Sequence, residues 1–251
     1  MLALITGASS GIGREFARML ANKGYSLIIV ARRKEKLEEL AKELGSEVRI
    51  ITADLSRLDE CVELHDKLKD EDIDIFINNA GFGVFGEFDK TPLEKELTMI
   101  KTNVVAMHVL CKLFLVDFKK RNKGRILNTA SLAGLMPGGP LFASYYASKA
   151  YICSLTRGIY EELRREKSDV HVCALCPGPV STECEKVAKV SFAGFAADPV
   201  RIVRYAYKKL MKNKLIIVPT VIMKIPKPLC RFISDKAVLK VVYGIQNSKM
   251  R

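Results

Sequence analysis

The chain has 251 residues, a length that suits one large α/β domain or two small ones. No proline- or serine-rich linker and no repeat divides it, so we expect one domain over residues 1–251. The net charge of +13 would suit a polyanionic partner, but the lysines and arginines alternate with glutamates along predicted helices, as is typical of solvated faces. Since no nucleic-acid-binding module is recognisable, we expect no nucleic acid among the partners.

The seven cysteines are scattered through apolar runs and show no zinc-like spacing. Free thiols in such runs behave as small hydrophobes, so we expect no metal site and a reduced, cytoplasmic compartment. His65 and His108 lie in predicted helices with no acidic or nucleophilic partner evident in the sequence. The start of the chain is too short and uncharged for a signal peptide, and no apolar run approaches roughly 18 residues, so the sequence predicts a soluble protein.

A glycine-rich turn follows the first predicted strand, residues 2–6. Residues 7–13 read Gly-Ala-Ser-Ser-Gly-Ile-Gly, and helical periodicity then continues to Gly24. Glycines let the backbone approach a phosphate, and the amino terminus of a helix adds free NH groups and a partial positive charge. The pattern predicts a dinucleotide site; the alternative is a glycine-rich turn without a ligand.

The second predicted strand, residues 26–31, is followed by Arg32 and Arg33 instead of a carboxylate. A dinucleotide without a 2′-phosphate is usually held by an acidic residue at this distance from the glycine turn, whereas arginine suits the phosphate. Positive charges at a helix start also oppose the helix dipole. An anionic ligand therefore accounts for the two arginines better than a role in starting the helix does. The two arginines therefore predict NADP(H) as the cofactor.

Further buried strands are predicted at five places along the chain, and helical patterns lie between them. These strands cover residues 48–52, 73–78, 124–130, 170–176 and 214–218. Strands that alternate with helices in this way are typical of right-handed βαβ units. The sequence thus predicts an α/β fold with a doubly wound parallel sheet and helices on both faces.

Three polar residues stand where such a sheet binds its ligands. Ser131 follows the fifth predicted strand, at the carboxyl edge of the sheet, and is placed to hold a carbonyl oxygen. Tyr145 and Lys149 are four residues apart in the next helix and so share one face. A free tyrosine has a pKa of about 10, and an adjacent positive charge lowers it. Tyr145 would then exchange a proton near neutral pH.

Six motifs in order resemble the short-chain dehydrogenase/reductase family. They are residues 6–13, residues 78–81 (Asn-Asn-Ala-Gly), Asn103, Ser131, Tyr145 with Lys149, and residues 177–182 (Pro-Gly-Pro-Val-Ser-Thr). The resemblance covers roughly residues 1–220. It implies a single Rossmann-type domain with a seven-stranded parallel sheet and an oxidoreductase activity on carbonyls or alcohols.

The resemblance also implies a role for each site residue. Tyr145 would be the acid–base, Lys149 would bind the nicotinamide ribose and lower the tyrosine pKa, and Ser131 would position the substrate oxygen. Asn103, by itself typical of a satisfied core amide, would hold a relay water. The cofactor would be bound by Gly7, Ser9, Ser10, Gly11, Ile12, Gly13, Arg32, Arg33, Asp54, Leu55, Asn79, Ala80, Gly81, Tyr145, Lys149, Pro177, Gly178, Val180 and Thr182. Of these, Asp54 and Leu55 would meet the adenine, Asn79 the adenosine ribose and Thr182 the carboxamide.

One position departs from the pattern of some NADP-using relatives. They carry a basic residue just before the second glycine of the turn, where this chain has Ser10. Arg32 and Arg33 must then do most of the selection for the 2′-phosphate.

Two regions near the carboxyl terminus are less regular. Residues 183–197 predict either a lid over the substrate, with Phe192 and Phe195 as apolar contacts and Gly194 as a pivot, or a surface helix without ligand contact. The absence of Lys and Arg at the aromatic end points to an uncharged or lipid-like substrate. The extension, residues 220–251, is apolar and basic; we favour packing on the substrate cleft or a second subunit over an anionic membrane surface.

The leading hypothesis is an NADPH-dependent carbonyl reductase, in which Tyr145 protonates the oxygen while hydride reaches the carbon. A 3-oxoacyl-thioester reductase and a hydroxysteroid-type dehydrogenase are the alternatives within enzymes. A non-catalytic NADP-sensing regulatory protein is the alternative of another class, but a sensor needs no complete set of Asn103, Ser131, Tyr145 and Lys149. We expect a small-molecule carbonyl or alcohol substrate and a homodimer or homotetramer.

Overall fold

Seven parallel strands form one sheet, in the order β3-β2-β1-β4-β5-β6-β7. The computed structural model describes residues 1–45, 47–180, 197–219 and 234–247. The strands are β1 (Leu2–Thr6), β2 (Ser26–Ala31), β3 (Val48–Thr52), β4 (Ile73–Asn78), β5 (Gly124–Thr129), β6 (Val170–Leu175) and β7 (Ile216–Ile217). Each begins and ends within two residues of its predicted bounds, and the predicted seven-stranded parallel sheet is confirmed.

Helices cover both faces of this sheet. They are α1 (Gly11–Ala21), α2 (Lys34–Leu44), α3 (Leu58–Asp66), α4 (Leu93–Ile100), α5 (Met107–Lys120), α6 (Ala143–Arg165), α7 (Pro199–Leu210) and α8 (Asp235–Asn247). A π-helical segment (Lys101–Ala106) joins α4 to α5, and a short 3-10 helix (Leu132–Leu135) follows β5.

Two apolar cores separate the sheet from its helices. Because successive strand residues point to opposite faces, neighbouring residues of one strand enter different cores. Ile5 packs with Phe16 of α1 in one core, while Leu4 packs with Phe114 of α5 in the other. The buried, apolar strands are those expected of a parallel sheet covered on both sides.

The chain from α4 to α5 is one continuous helix, Leu93–Lys120. By length and composition alone it is apolar enough to cross a membrane, because an 18-residue window within it has a mean hydropathy of 1.6, and core helices of soluble proteins pass the same test. Leu110, Phe114 and Phe118 are buried in the core beneath the sheet. The prediction that no apolar run approaches roughly 18 residues is therefore wrong for this helix, where the window stays apolar although Lys101 interrupts it.

The strand order places a crevice between β1 and β4. β1 pairs with β2 on one side and with β4 on the other, so the loops that leave β1 and β4 diverge at their carboxyl ends. Open α/β sheets bind ligands at such a switch point. The glycine turn after β1 and residues 79–81 after β4 meet at this crevice.

Candidate active site

The glycine turn after β1 is packed too closely for side chains. Gly7 and Gly11 have φ angles of +67° and +54°, which favour glycine. A Cβ on Gly13 would lie 2.3 Å from the Gly7 carbonyl oxygen and 2.7 Å from Nδ2 of Asn79. A Cβ on Gly7 would lie 2.9 Å from the Cα of Ala80. Only glycine therefore fits at these positions, and the turn packs directly against the loop after β4.

The amino terminus of α1 opens onto the same turn. The helix begins at Gly11, followed by Ile12, and carries no acidic residue in its first turn. Within the described part of the chain, Ser10 makes no side-chain capping hydrogen bond. The first amide groups of a helix lack intrahelical partners, and together with the helix dipole they favour an anion. This arrangement suits a pyrophosphate.

Thr6, the last residue of β1, fastens the turn to the end of β4. Its hydroxyl oxygen accepts hydrogen bonds from the backbone NH groups of Asn79 (2.8 Å) and Ala80 (3.1 Å). The side-chain nitrogen Nδ2 of Asn79 donates in return to the Thr6 carbonyl oxygen at 3.1 Å. The side chain of Asn79, expected to hold a ribose, thus also shapes the turn. Sequence analysis gave Thr6 no role of its own.

Arg32 and Arg33 lie at the rim of the crevice, as their position after β2 requires. Arg33 donates from Nη2 to the hydroxyl oxygen of Ser9 in the glycine turn, at 3.1 Å. Nη1 of Arg32 lies 3.9 Å from a carboxylate oxygen of Asp54, and the Arg32 side chain is 61% exposed. Leu55, the next residue, is buried. Two guanidinium groups therefore stand close to the residues expected around the adenosine.

Tyr145 and Lys149 lie one turn apart on α6. Nζ of Lys149 is 5.9 Å from the centre of the Tyr145 ring and donates to the carbonyl oxygen of Thr129 at 2.9 Å. The lysine is only 4% exposed. Oγ1 of Thr129 is also buried and has no hydrogen-bond partner among the described residues. The carboxyl end of β5 thus lies beside a buried cation and a phenol, and carries a buried hydroxyl without a hydrogen-bond partner among the described residues.

Ser131 is held in place where β5 ends. Its hydroxyl oxygen accepts a hydrogen bond from the backbone NH of Ala133, 3.2 Å away, which caps the short 3-10 helix. The NH of Leu132 donates to the carbonyl oxygen of Pro177 at 2.8 Å. These bonds join the loop after β5 to the loop after β6.

The loop after β6 continues through Gly178 to Val180, which forms a bridge with Ala197. Thr182, expected at the carboxamide, lies outside the described residues. The predicted lid falls there as well, apart from its last residue.

Asn103 occupies the π-helical segment and is fully buried. Its Nδ2 donates to the carbonyl oxygen of Phe82 (2.8 Å) and to the hydroxyl of Ser148 (3.2 Å), while its Oδ1 accepts from the NH of Phe82 (3.0 Å). A Cβ on Gly81 would lie 2.8 Å from Oδ1 of Asn103 and 3.3 Å from Nζ of Lys149. The asparagine therefore fixes the loop after β4 against α6. π-Helical segments are frequent at functional sites.

A buried polar network that sequence analysis missed supports these elements. Nδ2 of Asn78 donates to the carbonyl oxygen of Met107 (2.9 Å) and to Oδ1 of Asn128 (3.1 Å). Nδ2 of Asn128 donates to the hydroxyl of Thr156 on α6 at 3.1 Å. β4, β5, α5 and α6 are joined in this way directly behind the site. The available signal was a polar residue within each of two apolar strands.

Glu96 is a second residue that the sequence did not single out. It is 8% exposed, and its carboxylate accepts hydrogen bonds from the hydroxyls of Thr91 (2.6 Å) and Ser144 (2.9 Å). Ser144 stands in the first turn of α6, immediately before Tyr145. The carboxylate therefore ties α4 to the start of the helix that carries Tyr145.

Aromatic rings surround Tyr145 on the side away from Lys149. The ring of Phe142 lies 4.7 Å from that of Tyr145, and the ring of Phe85 lies 5.3 Å from that of Phe142. Tyr146 lies 6.5 Å from Phe142, again measured between ring centres. This side of the site offers an apolar surface to a substrate.

Helix α8 packs beside these rings. Nε2 of Gln246 donates to the hydroxyl of Tyr146 at 2.9 Å, and burial raises the pKa of that tyrosine. A Cβ on Gly138 would lie 3.1 Å from Cδ2 of Leu239. The described part of the carboxyl-terminal extension thus lies against the segment that carries the aromatic wall.

The histidines have partners that the sequence did not reveal. Nε2 of His65 lies 2.6 Å from a carboxylate oxygen of Asp117, and Nδ1 of His108 lies 2.8 Å from the hydroxyl of Tyr151. The interpretation that these histidines lack partners is therefore wrong. The sequence did not reveal the partner of His65, because His65 and Asp117 are 52 residues apart in the chain. No group of three or more potential metal ligands occurs in the described ranges.

Comparison with known proteins gives a consistent result. The family model for short chain dehydrogenases matches residues 1–190. A very-long-chain 3-oxoacyl-CoA reductase of Anas platyrhynchos is 33% identical over 76% of this chain and 63% of that protein. The human 17-beta-hydroxysteroid dehydrogenase type 3 is 33% identical over 78% of this chain and 64% of that protein. The matched region thus spans less than two thirds of the length of these relatives.

A solved structure agrees over a larger share of both chains. The short-chain dehydrogenase from Sphingobium yanoikuyae in complex with NADPH superposes with a TM-score of 0.82 and is 30% identical, over 88% of each chain. Together with the family match over residues 1–190, this likeness shows that the chain belongs to the short-chain dehydrogenase/reductase family.

Proposed function

We propose that the protein is an NADPH-dependent oxidoreductase that reduces a ketone or an aldehyde to an alcohol. The observation that carries the proposal is the buried Lys149 ammonium one turn from Tyr145, on the edge of the sheet where the glycine turn lies. Burying a lysine costs free energy, so its position beside a phenol calls for an explanation beyond packing. Acid–base chemistry at Tyr145 provides one.

The residues at the crevice fit a nicotinamide dinucleotide. The turn around Gly7 and Gly13 packs so closely that only glycine fits at these positions, and the start of α1 favours a pyrophosphate. The buried Thr129 hydroxyl, without a partner in the described ranges, suits a polar ligand at the other end. Arg32 and Arg33 would hold the 2′-phosphate of NADP(H). The Sphingobium relative is solved in complex with NADPH.

The chain's own residues would supply the proton and orient the substrate. When bound, the reduced nicotinamide supplies the hydride. Tyr145 donates its phenolic proton to the carbonyl oxygen, and Ser131 orients that oxygen by a hydrogen bond. The ammonium of Lys149 stabilises the phenolate that remains. Asn103 holds the loop after β4 beside Lys149, and its role in a water relay stays a prediction.

The aromatic wall favours an apolar substrate. Phe142 and Phe85 extend from Tyr145 as a surface without charged side chains among these contacts. Two relatives are named for a very-long-chain 3-oxoacyl-CoA and for a 17-beta-hydroxysteroid, whose acyl chain and ring system are apolar. A 3-oxoacyl-thioester reductase and a hydroxysteroid-type dehydrogenase are therefore the specific candidates within the proposal.

A panel of carbonyl compounds tests the proposal. The protein is mixed with NADPH and, in turn, small ketones, 3-oxoacyl thioesters, diketones and oxosteroids, while the absorbance of the reduced nicotinamide is followed. Oxidation with at least one compound, abolished in Tyr145→Phe, is the expected result. Binding of NADPH without oxidation of any compound, unchanged in that variant, would favour the regulatory NADP sensor instead.

A further inference from the structure

Helix α8 carries apolar residues on its buried face and also along an exposed line beside that face. Val238, Val242 and Gln246 recur every four residues and are buried, which is the face that meets the rest of the protein. Val241 and Ile245 each precede a buried residue, so they lie about 100° around the helix from it, and they are 63% and 55% exposed. A surface helix normally presents polar residues to water. The outer side of α8 therefore departs from the pattern of a simple surface helix.

The exposed apolar residues form one continuous line. Ala237, Val241 and Ile245 are spaced four apart and all exposed, so they lie above one another along the helix. Gly244, beside them, is also exposed and has no side chain that would project next to this line. Single exposed hydrophobic residues are ordinary, but a line of them indicates a contact surface. We call this line the outer face of α8.

Basic residues accompany the outer face. Lys236 and Lys240 of α8 are exposed. In the sequence, residues 220–251 contain seven basic residues and one acidic residue, Asp235. The basic residues are Lys224, Lys227, Arg231, Lys236, Lys240, Lys249 and Arg251. An apolar line within a strongly basic segment is the composition that binds an anionic interface.

We propose that the outer face of α8 docks on an anionic phospholipid bilayer. Charge decides between this occupant and a second copy of the chain. Two copies meeting through α8 would bring two basic segments together, on chains that each carry a net charge of +13. An anionic bilayer neutralises the same charges, while its acyl region accepts Val241 and Ile245.

This docking orients the molecule. The inner face of α8 contacts Tyr146 through Gln246 and Gly138 through Leu239, beside the aromatic wall. The outer face therefore brings that wall near the bilayer, where apolar molecules accumulate. The inference does not depend on the proposed reaction, because binding to a bilayer needs neither cofactor nor turnover.

Sedimentation with lipid vesicles tests the inference on the full chain. Vesicles of phosphatidylcholine alone are compared with vesicles that also contain phosphatidylglycerol. The test variant is Val241→Glu with Ile245→Glu. The control is Leu58→Glu with Val62→Glu on α3, another exposed apolar pair at the same spacing, which are 54% and 41% exposed. Circular dichroism and the unfolding midpoint check that both variants fold.

We expect the wild type and the α3 control to bind the phosphatidylglycerol vesicles. The affinity of the α8 variant for these vesicles should be lower by roughly tenfold or more. Raising the ionic strength from about 0.1 M to about 1 M should release the wild type, because the Debye length falls to about 3 Å. Equal binding by the α8 variant and the control, or no wild-type binding, would overturn the inference. So would a wild-type dimer, detected by light scattering, that the α8 variant loses.

Discussion

On the proposed cofactor side of the crevice, the closest contacts within the glycine turn are local and made largely by backbone atoms, and the Thr6 and Asn79 side chains fasten the turn to the end of β4. The glycine turn lies between β1 and α1, adjacent elements of the chain, and Gly13 touches the carbonyl of Gly7 six residues earlier. On the substrate side, the contacts are side chains from distant segments. Gln246 meets Tyr146 across 100 residues, and Ser144 meets Glu96 across 48. The first side is therefore suited to one fixed ligand, and the second can change without disturbing the sheet.

The proposed reacting group lies where these two sides meet. The ring of Tyr145, on α6, lies 5.9 Å from Nζ of Lys149 and 4.7 Å from the ring of Phe142, measured from the ring centre. If the two sides are as separate as their contacts indicate, substitutions should divide into three classes. Substitutions of the first class should lower kcat alone, and those of the second should weaken cofactor binding. Those of the third should change the KM of the substrate alone.

The largest effect is expected from Tyr145→Phe, which keeps the ring and removes the proton donor. Loss of a positioned acid costs roughly 10²–10⁴-fold in rate, so kcat should fall by that amount. NADPH affinity and the unfolding midpoint should stay close to those of the wild type, because the ring contact with Phe142 is kept. Tyr151→Phe, which removes an exposed hydroxyl on the same helix, is the control. Steady-state kinetics and NADPH fluorescence measure both quantities, and an active Tyr145→Phe enzyme would contradict the mechanism.

Gly13→Ala should damage the cofactor side. The new Cβ would meet the Gly7 carbonyl oxygen at 2.3 Å, so the backbone of the turn must shift. We expect NADPH affinity to fall about tenfold or more and the free energy of unfolding to fall by about 1–3 kcal/mol. Binding is measured by titration with NADPH and stability by urea unfolding.

Gly158→Ala supplies the matched control for that substitution. Gly158 is within α6, and its Cβ would meet no atom within 4 Å. Alanine in a helix interior is favoured over glycine by about 0.5–1 kcal/mol, so this variant should be slightly more stable and bind NADPH normally. An unchanged NADPH affinity in Gly13→Ala would place the cofactor elsewhere.

Arg32→Ala tests the choice between the two dinucleotides. Loss of one charge-assisted contact costs about 1.5–3 kcal/mol, so the Kd for NADPH should rise roughly tenfold to a hundredfold. The Kd for NADH should change little, since NADH has no 2′-phosphate. Lys34→Ala removes a neighbouring exposed charge, 66% exposed, and should leave both constants unchanged. Equal losses for NADPH and NADH in Arg32→Ala would remove the argument for NADP(H).

The same division explains what the sequence could and could not predict. The strands, the glycine turn and the Tyr145–Lys149 spacing depend on neighbours within a few residues, so periodicity and motif order locate them. The π-helical segment around Asn103, the Asn78–Asn128 pair and the His65–Asp117 pair depend on partners far along the chain. A single sequence can show a polar residue within an apolar strand, as at Asn78 and Asn128, but it does not show which distant residue is its partner. The position of α8 beside Tyr146 belongs to the same group.

The smallest effect is expected on the substrate side, from Gln246→Leu. The substitution removes the donor to the hydroxyl of Tyr146, and a buried hydrogen bond of this kind contributes about 0.5–1.5 kcal/mol. We expect the KM of an apolar ketone to change by about tenfold or less, with the Kd for NADPH unchanged, because no contact between α8 and the glycine turn is among the described ones. Asn247→Leu, one position further along the helix, is the control. If Gln246→Leu weakened NADPH as strongly as the ketone, the two sides of the crevice would be coupled, and the separation inferred from their contacts would be wrong.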